Sequence, residues 1–225
     1  MEASICNSVT IERRRGMSMD ECVPFNPLDK ESLAVSIERA LLAEEPHALG
    51  EINKFAGAGI YALRYTGSYP AYKLLSEINN GFLAVPVYVG KADSKGKRKG
   101  GYLAEGTREP VLWNRLRDHA VSIEQARNLD IEDFMCRFLV VDDLWIGLGE
   151  SLLISKFALV WNTFVDGFGN HDSGKGRRAG RRSRWDTLHP GRVWADSWAD
   201  NPMSAEQIAR EVEEYVAARY DVVEF

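Results

Sequence analysis

Cysteine is scarce: Cys6, Cys22 and Cys136 are the only three in 225 residues, and no two stand in C-x-x-C spacing. Neither a disulfide framework nor a cysteine-based zinc site is suggested. The four histidines, at 47, 119, 171 and 189, lack metal-site spacing. Long hydrophobic runs are also missing. The longest apolar stretch, 151–161, carries Lys156 and is too short to span a bilayer. Met1-Glu2-Ala3-Ser4 shows neither a basic nor an apolar leader region, so no secretory signal is expected and a soluble, cytoplasmic protein is. There is no phosphate-loop motif and no internal repeat. Gly149-Glu150-Ser151 is not a G-x-S-x-G elbow, which leaves a serine hydrolase without support. Asp93-Ser94-Lys95 mimics half of a D-x-K nuclease motif but has no obvious partner acid.

At this length the chain can form one core with additions, and a large multidomain machine is ruled out. Net charge is −5, yet its distribution is uneven. Residues 91–100 carry +4 through Lys91, Lys95, Lys97, Arg98 and Lys99 against Asp93. Residues 171–184 carry +5 through Lys175, Arg177, Arg178, Arg181, Arg182 and Arg184 against Asp172, while residues 196–225 carry −6. Both basic clusters are rich in Gly and Ser. Flexible basic loops over a solubilising acidic remainder suit a phosphate-bearing partner, although a charge run is also what any solvated face looks like.

Residues 1–28, with Pro24 and Pro27, read as an irregular arm. A helix is expected from Asp29, its N-cap, with Leu33, Ile37, Ala40 and Leu41 as the apolar face and Glu45-Pro46 as its end. Gly59 to Thr66 reads as a strand with apolar residues on both faces, which predicts a sheet covered on both sides. Residues 67–84 are longer than a tight connection and hold a short helical piece at 72–78. A second strand follows at 87–90. Arg108-Glu109-Pro110 opens a helix on which Arg115 and His119, four apart, share a face. A third strand at 135–141 leads through Gly147-Leu148-Gly149 to an apolar helix expected to carry Glu150 in its first turn, where the helix dipole alone would favour an acid. Residues 164–191 read as one long basic loop. Ser204 and Gln207 form a capping box for a last helix striped by Ile208, Val212, Tyr215 and Val216.

A tyrosine in a strand is ordinarily half-buried packing. The order of residues here carries more than that: Gly59-Ile60-Tyr61, then Tyr88-Val89-Gly90, then Arg115, His119 and Glu150. This series resembles the GIY-YIG nuclease superfamily over roughly residues 59–162, with valine in the place of one isoleucine. The resemblance implies an α/β fold: a small, mostly antiparallel sheet flanked by helices, with an N-terminal arm and helix at 1–58, a core with insertions at 59–165, and a basic loop and C-terminal helix at 166–225, all one endonuclease domain. It implies catalytic roles for Tyr61, Tyr88, Arg115, His119 and Glu150, and for Asn162, which matches an asparagine found in some members.

The residue types suit phosphodiester hydrolysis. Glu150 is one hard carboxylate, enough to hold a single Mg²⁺ with waters and phosphate. Arg115 supplies a forked, permanent charge for phosphate oxygens. Tyr61 is the implied general base, with Lys91, Arg115 and the metal at hand to lower its pKa; Tyr88 would position water or phosphate, and His119, near 6.5 if unperturbed, would relay a proton or hold a tyrosine. The economy of the chain resembles type II restriction endonucleases, particularly the branch that cuts palindromic G/C-rich sites. That implies double-stranded DNA as substrate, a homodimer, and a cognate DNA methyltransferase as genetic partner. Lys91, Lys95, Lys97, Arg98, Lys99, Lys175, Arg177, Arg178, Arg181 and Arg182 would contact DNA. A repair or mobile-element nuclease and a catalytically silent DNA-binding protein are the alternatives.

Overall fold

The computed structural model of the chain describes residues 29–81, 85–93, 109–157, 159–171 and 180–220. The N-terminal arm (1–28) and most of both basic loops, including Lys95, Lys97, Arg98, Lys99, Lys175, Arg177 and Arg178, lie outside the described residues. Helix α1 (Lys30–Ala43) begins where Asp29 accepts from the N–H and the hydroxyl of Ser32, each at 2.8 Å. Its buried Glu38 pairs with Lys156, and its exit is tied to the sheet by Arg137, which donates to the Glu44 carbonyl at 2.8 Å.

Four strands, β1 (His47–Ala48), β2 (Gly59–Tyr65), β3 (Tyr88–Ala92) and β4 (Phe134–Val140), form an antiparallel sheet in the order β1-β4-β2-β3. β2 is therefore interior and β3 is an edge. Alternation along β2 divides the core: Tyr61, Leu63 and Tyr65 enter a large cluster with Leu112, Leu116, Trp161 and Trp185, while Ile60 and Ala62 enter a smaller one with Val89, Ile146 and Leu153. The two-faced burial expected of this strand is what the structure has. Truncating a side chain such as Leu63 to alanine would cost about 2–5 kcal/mol.

The first cluster is covered by α3 (Val111–Gln125) and the second by α1 and α4 (Asp143–Phe157). The long link after β2 folds into α2 (Lys73–Asn80). Buried Asn79 staples it, donating to the carbonyls of Tyr65 (2.9 Å) and Val85 (3.0 Å) and accepting from the Val85 N–H (2.8 Å). The link also seats the last helix, α7 (Ala205–Tyr220), whose capping box forms as expected: Ser204 and Gln207 exchange backbone-to-side-chain bonds of 2.9 and 3.2 Å. Among the described residues no helix is long and apolar enough to cross a membrane.

Two expectations fail. Glu150 is in the middle of α4, not its first turn; the helix starts a full two turns earlier, capped by Asp142, which accepts from the Leu144 N–H at 3.0 Å. Gly147 and Gly149 look like a loop but are interior to the helix, and at Gly149 α4 lies close on its neighbours. A Cβ on Gly149 would sit 3.3 Å from Ile60 Cδ1 and 3.5 Å from Ile37 Cδ1. The segment 164–191 is likewise not all loop: α5 (Arg184–Leu188) is followed by α6 (Val193–Asp196). Ser183 caps α5 by accepting from the Asp186 N–H, and Trp185 and Leu188 are buried.

α5 delivers His189 into the core, fully buried. Its Nε2 meets the Tyr72 hydroxyl at 2.7 Å and its Nδ1 meets Asn128 Oδ1 at 3.0 Å, while Trp161 donates to the same hydroxyl at 2.8 Å. Burial drives the imidazole down to about 3. The unfolded chain, with an ordinary histidine near 6.5, binds a proton that the folded chain refuses, so stability is lost as pH falls from about 6.5 toward 3. Urea unfolding across that window should show a slope component approaching ~1.4 kcal/mol per pH unit that His189→Gln removes; an unchanged slope would contradict this account of His189.

Candidate active site

Tyr61 is directly opposite Gly90 in the β2–β3 register. A Cβ on Gly90 would stand 2.3 Å from the Tyr61 hydroxyl oxygen, so the ring crosses the edge strand over the one residue that offers no side chain. Beyond it the hydroxyl meets His119 Nε2 at 2.5 Å. The backbone aims the histidine: α3 is fastened to the chain just before β2 by Leu112 N–H to Gly57 carbonyl (3.0 Å) and Gly57 N–H to Glu109 carbonyl (2.9 Å), with Gly57 at φ 135°. Arg115, one turn earlier on the same face, stands beside both tyrosines. Tyr88 completes the group, its ring 6.2 Å from that of Tyr61 and 5.3 Å from that of His119.

A wall that the sequence did not reveal comes from residues 167–171. The Gly169 carbonyl accepts from Arg115 at 3.1 Å, and His171 Nε2 lies against the other guanidinium nitrogen. Phe168 stacks on His119 with centroids 4.4 Å apart and planes at 17°. Gly169 leaves room for the Tyr88 hydroxyl, which a Cβ there would approach to 2.9 Å. The density of glycine in Gly167-Phe168-Gly169 marks a loop in the sequence, but nothing local shows that it folds back over α3.

Burial decides the protonation states here. Buried Tyr61 has its pKa pushed well above 10; Tyr88 adds to the rise, and the Arg115 charge only partly opposes it. Burial likewise raises Tyr88, with Arg115 opposing and Glu150 reinforcing the shift. His119, fully desolvated and facing Arg115, His171 and Arg192, is held well below 6.5. In the protein alone, then, Arg115 does not bring Tyr61 below its ordinary value, and His119 is perturbed downward. One proton lies between two neutral groups, and the tautomer protonated at Nδ1 lets the phenol donate to Nε2.

Glu150 arrives from the other side. Its helix packs on the opposite face of the sheet from Tyr61, and its carboxylate is held at the β3 edge by Lys91 Nζ at 3.3 Å. Burial alone would lower the Lys91 ammonium; Glu150 and then Asp93, the latter at 3.6 Å, outweigh it and hold its pKa above the ordinary value. The carboxylate and the phenols therefore approach around the edge of the sheet, with Tyr88 feeling the Glu150 charge, and do not share one face. No cluster of three or more His, Cys, Asp or Glu able to hold a metal occurs among the described residues. A lone, partly exposed carboxylate is nevertheless a donor set that fits a hard cation taking its remaining ligands from water and phosphate.

Asn162 is not on the Glu150 helix. α4 ends at Phe157, and Asn162 lies in a separate turn, Val160–Phe164, from which its amide oxygen accepts from the Val89 N–H at 2.8 Å and its nitrogen donates to the Val89 carbonyl at 2.7 Å. It serves the edge strand as the neighbour that strand lacks. Of the basic residues within the described part, Arg181 is exposed, whereas Arg182 has internal partners: the Ala195 and Asp196 carbonyls and the Asp200 carboxylate.

A family model described as the Eco29kI GIY-YIG domain matches residues 53–216. The match takes in Tyr61, Tyr88, Arg115, His119, Glu150 and Asn162 and runs on into α7. No curated protein matches the chain.

Gly90→Ala tests how the site is built. The added methyl group must displace the Tyr61 ring, which should cost about 1–3 kcal/mol in urea unfolding and change the chemical shifts of His119. Wild-type stability with an unmoved His119 would mean that Tyr61 does not cross at Gly90.

Proposed function

Because the chain belongs to the family of the Eco29kI GIY-YIG domain, a family of nucleases, we propose that it is a type II restriction endonuclease that hydrolyses double-stranded DNA at a specific site, with a divalent cation such as Mg²⁺, as a homodimer in which each subunit cuts one strand. The observation that carries this reading is the Tyr61–His119 contact with Arg115 alongside, three groups from two elements gathered in a desolvated corner that structural packing alone does not call for. A palindromic site fits the two-fold symmetry of such a dimer, and a DNA methyltransferase would protect the host's own copies of it.

In this reading a phosphate enters at the β3 edge. Arg115 binds a non-bridging oxygen through its guanidinium, whose permanent charge the phosphate offsets. The phosphate charge offsets the cationic surroundings of His119 and makes a protonated imidazole tolerable. Tyr61 then takes a proton from the attacking water as its own phenolic proton passes to His119 Nε2, so neither group need hold a full charge before the other changes. Tyr88 directs its hydroxyl to the water or phosphate, and Asn162 keeps the strand carrying Tyr88 and Gly90 in register. Glu150 would hold the cation, which when bound makes water more acidic and draws charge from the phosphate. Lys91 keeps the Glu150 carboxylate in place until then. Arg181 and the basic residues at 95–99 and 175–178 would supply backbone and groove contacts.

Incubating the protein with unmodified plasmid tests this reading. Discrete fragments should appear with Mg²⁺ and vanish with EDTA; Glu150→Gln should give none, and Tyr61→Phe should cut about 10²–10⁴-fold more slowly. A metal-dependent smear would contradict site specificity and point to a repair or mobile-element enzyme. Binding without cutting would contradict the nuclease activity itself.

A further inference from the structure

Arg192 is a buried arginine, 1% exposed, whose guanidinium is committed on every side. Nε donates to Asp186 at 2.7 Å. One terminal nitrogen donates to the carbonyls of Phe168 (3.1 Å) and Asn170 (3.2 Å), and the other to that of Gly167 (2.8 Å). Its flat faces meet the rings of Trp185 at 4.4 Å and Trp194 at 4.6 Å. Asp186 is equally buried, with its second oxygen accepting from the Ser183 hydroxyl at 2.7 Å. A buried ion pair is poor evidence of stabilisation, because desolvation consumes most of the attraction. What this one secures is a shape. Only a planar fork with five N–H groups can meet one carboxylate and three carbonyls spread over four residues.

Those carbonyls belong to the wall of the candidate active site. Three of its carbonyls, 167, 168 and 170, turn inward to Arg192, and the fourth, 169, turns outward to Arg115. The same few residues place His171 on Arg115 and Phe168 on His119. Gly167, at φ 104°, supplies the turn and leaves the space that Ser183 occupies, where a Cβ would come within 2.0 Å of the Ser183 hydroxyl oxygen.

We propose that Arg192, seated by Asp186, is a positioning residue for the reaction: it fixes the 167–171 wall, and through that wall the orientation of the Arg115 guanidinium and the His119 ring. Nothing in its own position touches the phenols, and apart from its charge, which His119 feels, it acts through the wall. The activity arm of the proposal rests on the nuclease reading; the arrangement of the wall does not.

Arg192→Lys keeps the charge and loses the fork. In the full-length protein two quantities are read: the single-turnover rate of plasmid cleavage, and the ring-current shift that Phe168 imposes on the His119 imidazole protons. Expected are a rate at least ten-fold lower with DNA affinity within three-fold of wild type, and loss of most of the His119 ring-current shift. Asn128→Ala, which strikes the His189 network and does not touch the wall, is the control for lowered stability and should keep both near wild type. If Arg192→Lys does not fold, Asp186→Asn, which leaves an acceptor for the same guanidinium, is read instead. A variant that keeps the wild-type rate and His119 shift overturns the proposal, as does a control that loses both equally. Should the wild type cut no DNA, the nuclease reading fails, and the His119 shift alone decides: altered supports the positioning of the wall, unaltered overturns it.

Discussion

The Tyr61 phenol reaches His119 by passing over Gly90, and most of the remaining architecture serves to keep that passage open. Among the described residues β3 is an edge strand with one side bare of strand partners. Asn162 supplies the missing partner with its two bonds to Val89, and the Trp161 N–H adds a third to the Val87 carbonyl at 3.0 Å. Were the strand to slip by one residue, Val89 or Lys91 would stand where Gly90 does, and the ring could not cross. α3 is pinned at its other end by Gly57. The two fixings bring an interior-strand tyrosine and a helix histidine together with neither exposed, and losing either partner would strand the other at a cost of about 1–3 kcal/mol.

That corner is desolvated, which explains why Tyr61 and His119 are both neutral beside a permanent guanidinium. For Tyr61 burial outweighs the Arg115 charge; for His119 the two act in the same direction. In the proposed reaction the site stays quiet until a phosphate brings negative charge into it. Glu150 stands apart from this corner in both geometry and chemistry: it belongs to the opposite layer, retains solvent contact, and is held by Lys91. The sheet edge separates a dry half, holding Tyr61 and His119, from a wetter half, holding Glu150 and Lys91. A nucleic-acid backbone laid along β3 would touch both.

The sequence disclosed the elements that depend on local rules. Asp29, the Ser204–Gln207 box and the alternation of β2 each act within a few residues, and each is where the pattern puts it. The order of Tyr61, Tyr88, Arg115, His119 and Glu150 also brought the family to notice. What stayed hidden depends on contacts distant in sequence. Gly147 and Gly149 read as a loop although both are helical, and what crowds Gly149, the closeness of α4 to Ile60 and Ile37, lies on other elements. Ser183 and Asp186 sit at cap spacing and could have marked α5, but a dense run of arginines around them reads as solvated loop. The burial that shifts Tyr61 and His119 is not legible in the sequence, since spacing conveys neighbours but not depth. Phe168, Gly169 and His171 were missed because their role needs the chain to return over α3.

In the proposed reaction the phenols and Glu150, drawn from opposite layers, face one reactive space at the β3 edge. Paramagnetic broadening by Mn²⁺ measures this directly, in protein carrying ¹³C-labelled tyrosine rings and bound to a DNA duplex. Expected are strong broadening of Tyr88 and Tyr61, little of Tyr69 and Tyr220, and loss of the effect in Glu150→Gln. Broadening that spares Tyr61 and Tyr88, or that persists unchanged without the Glu150 carboxylate, would contradict that arrangement.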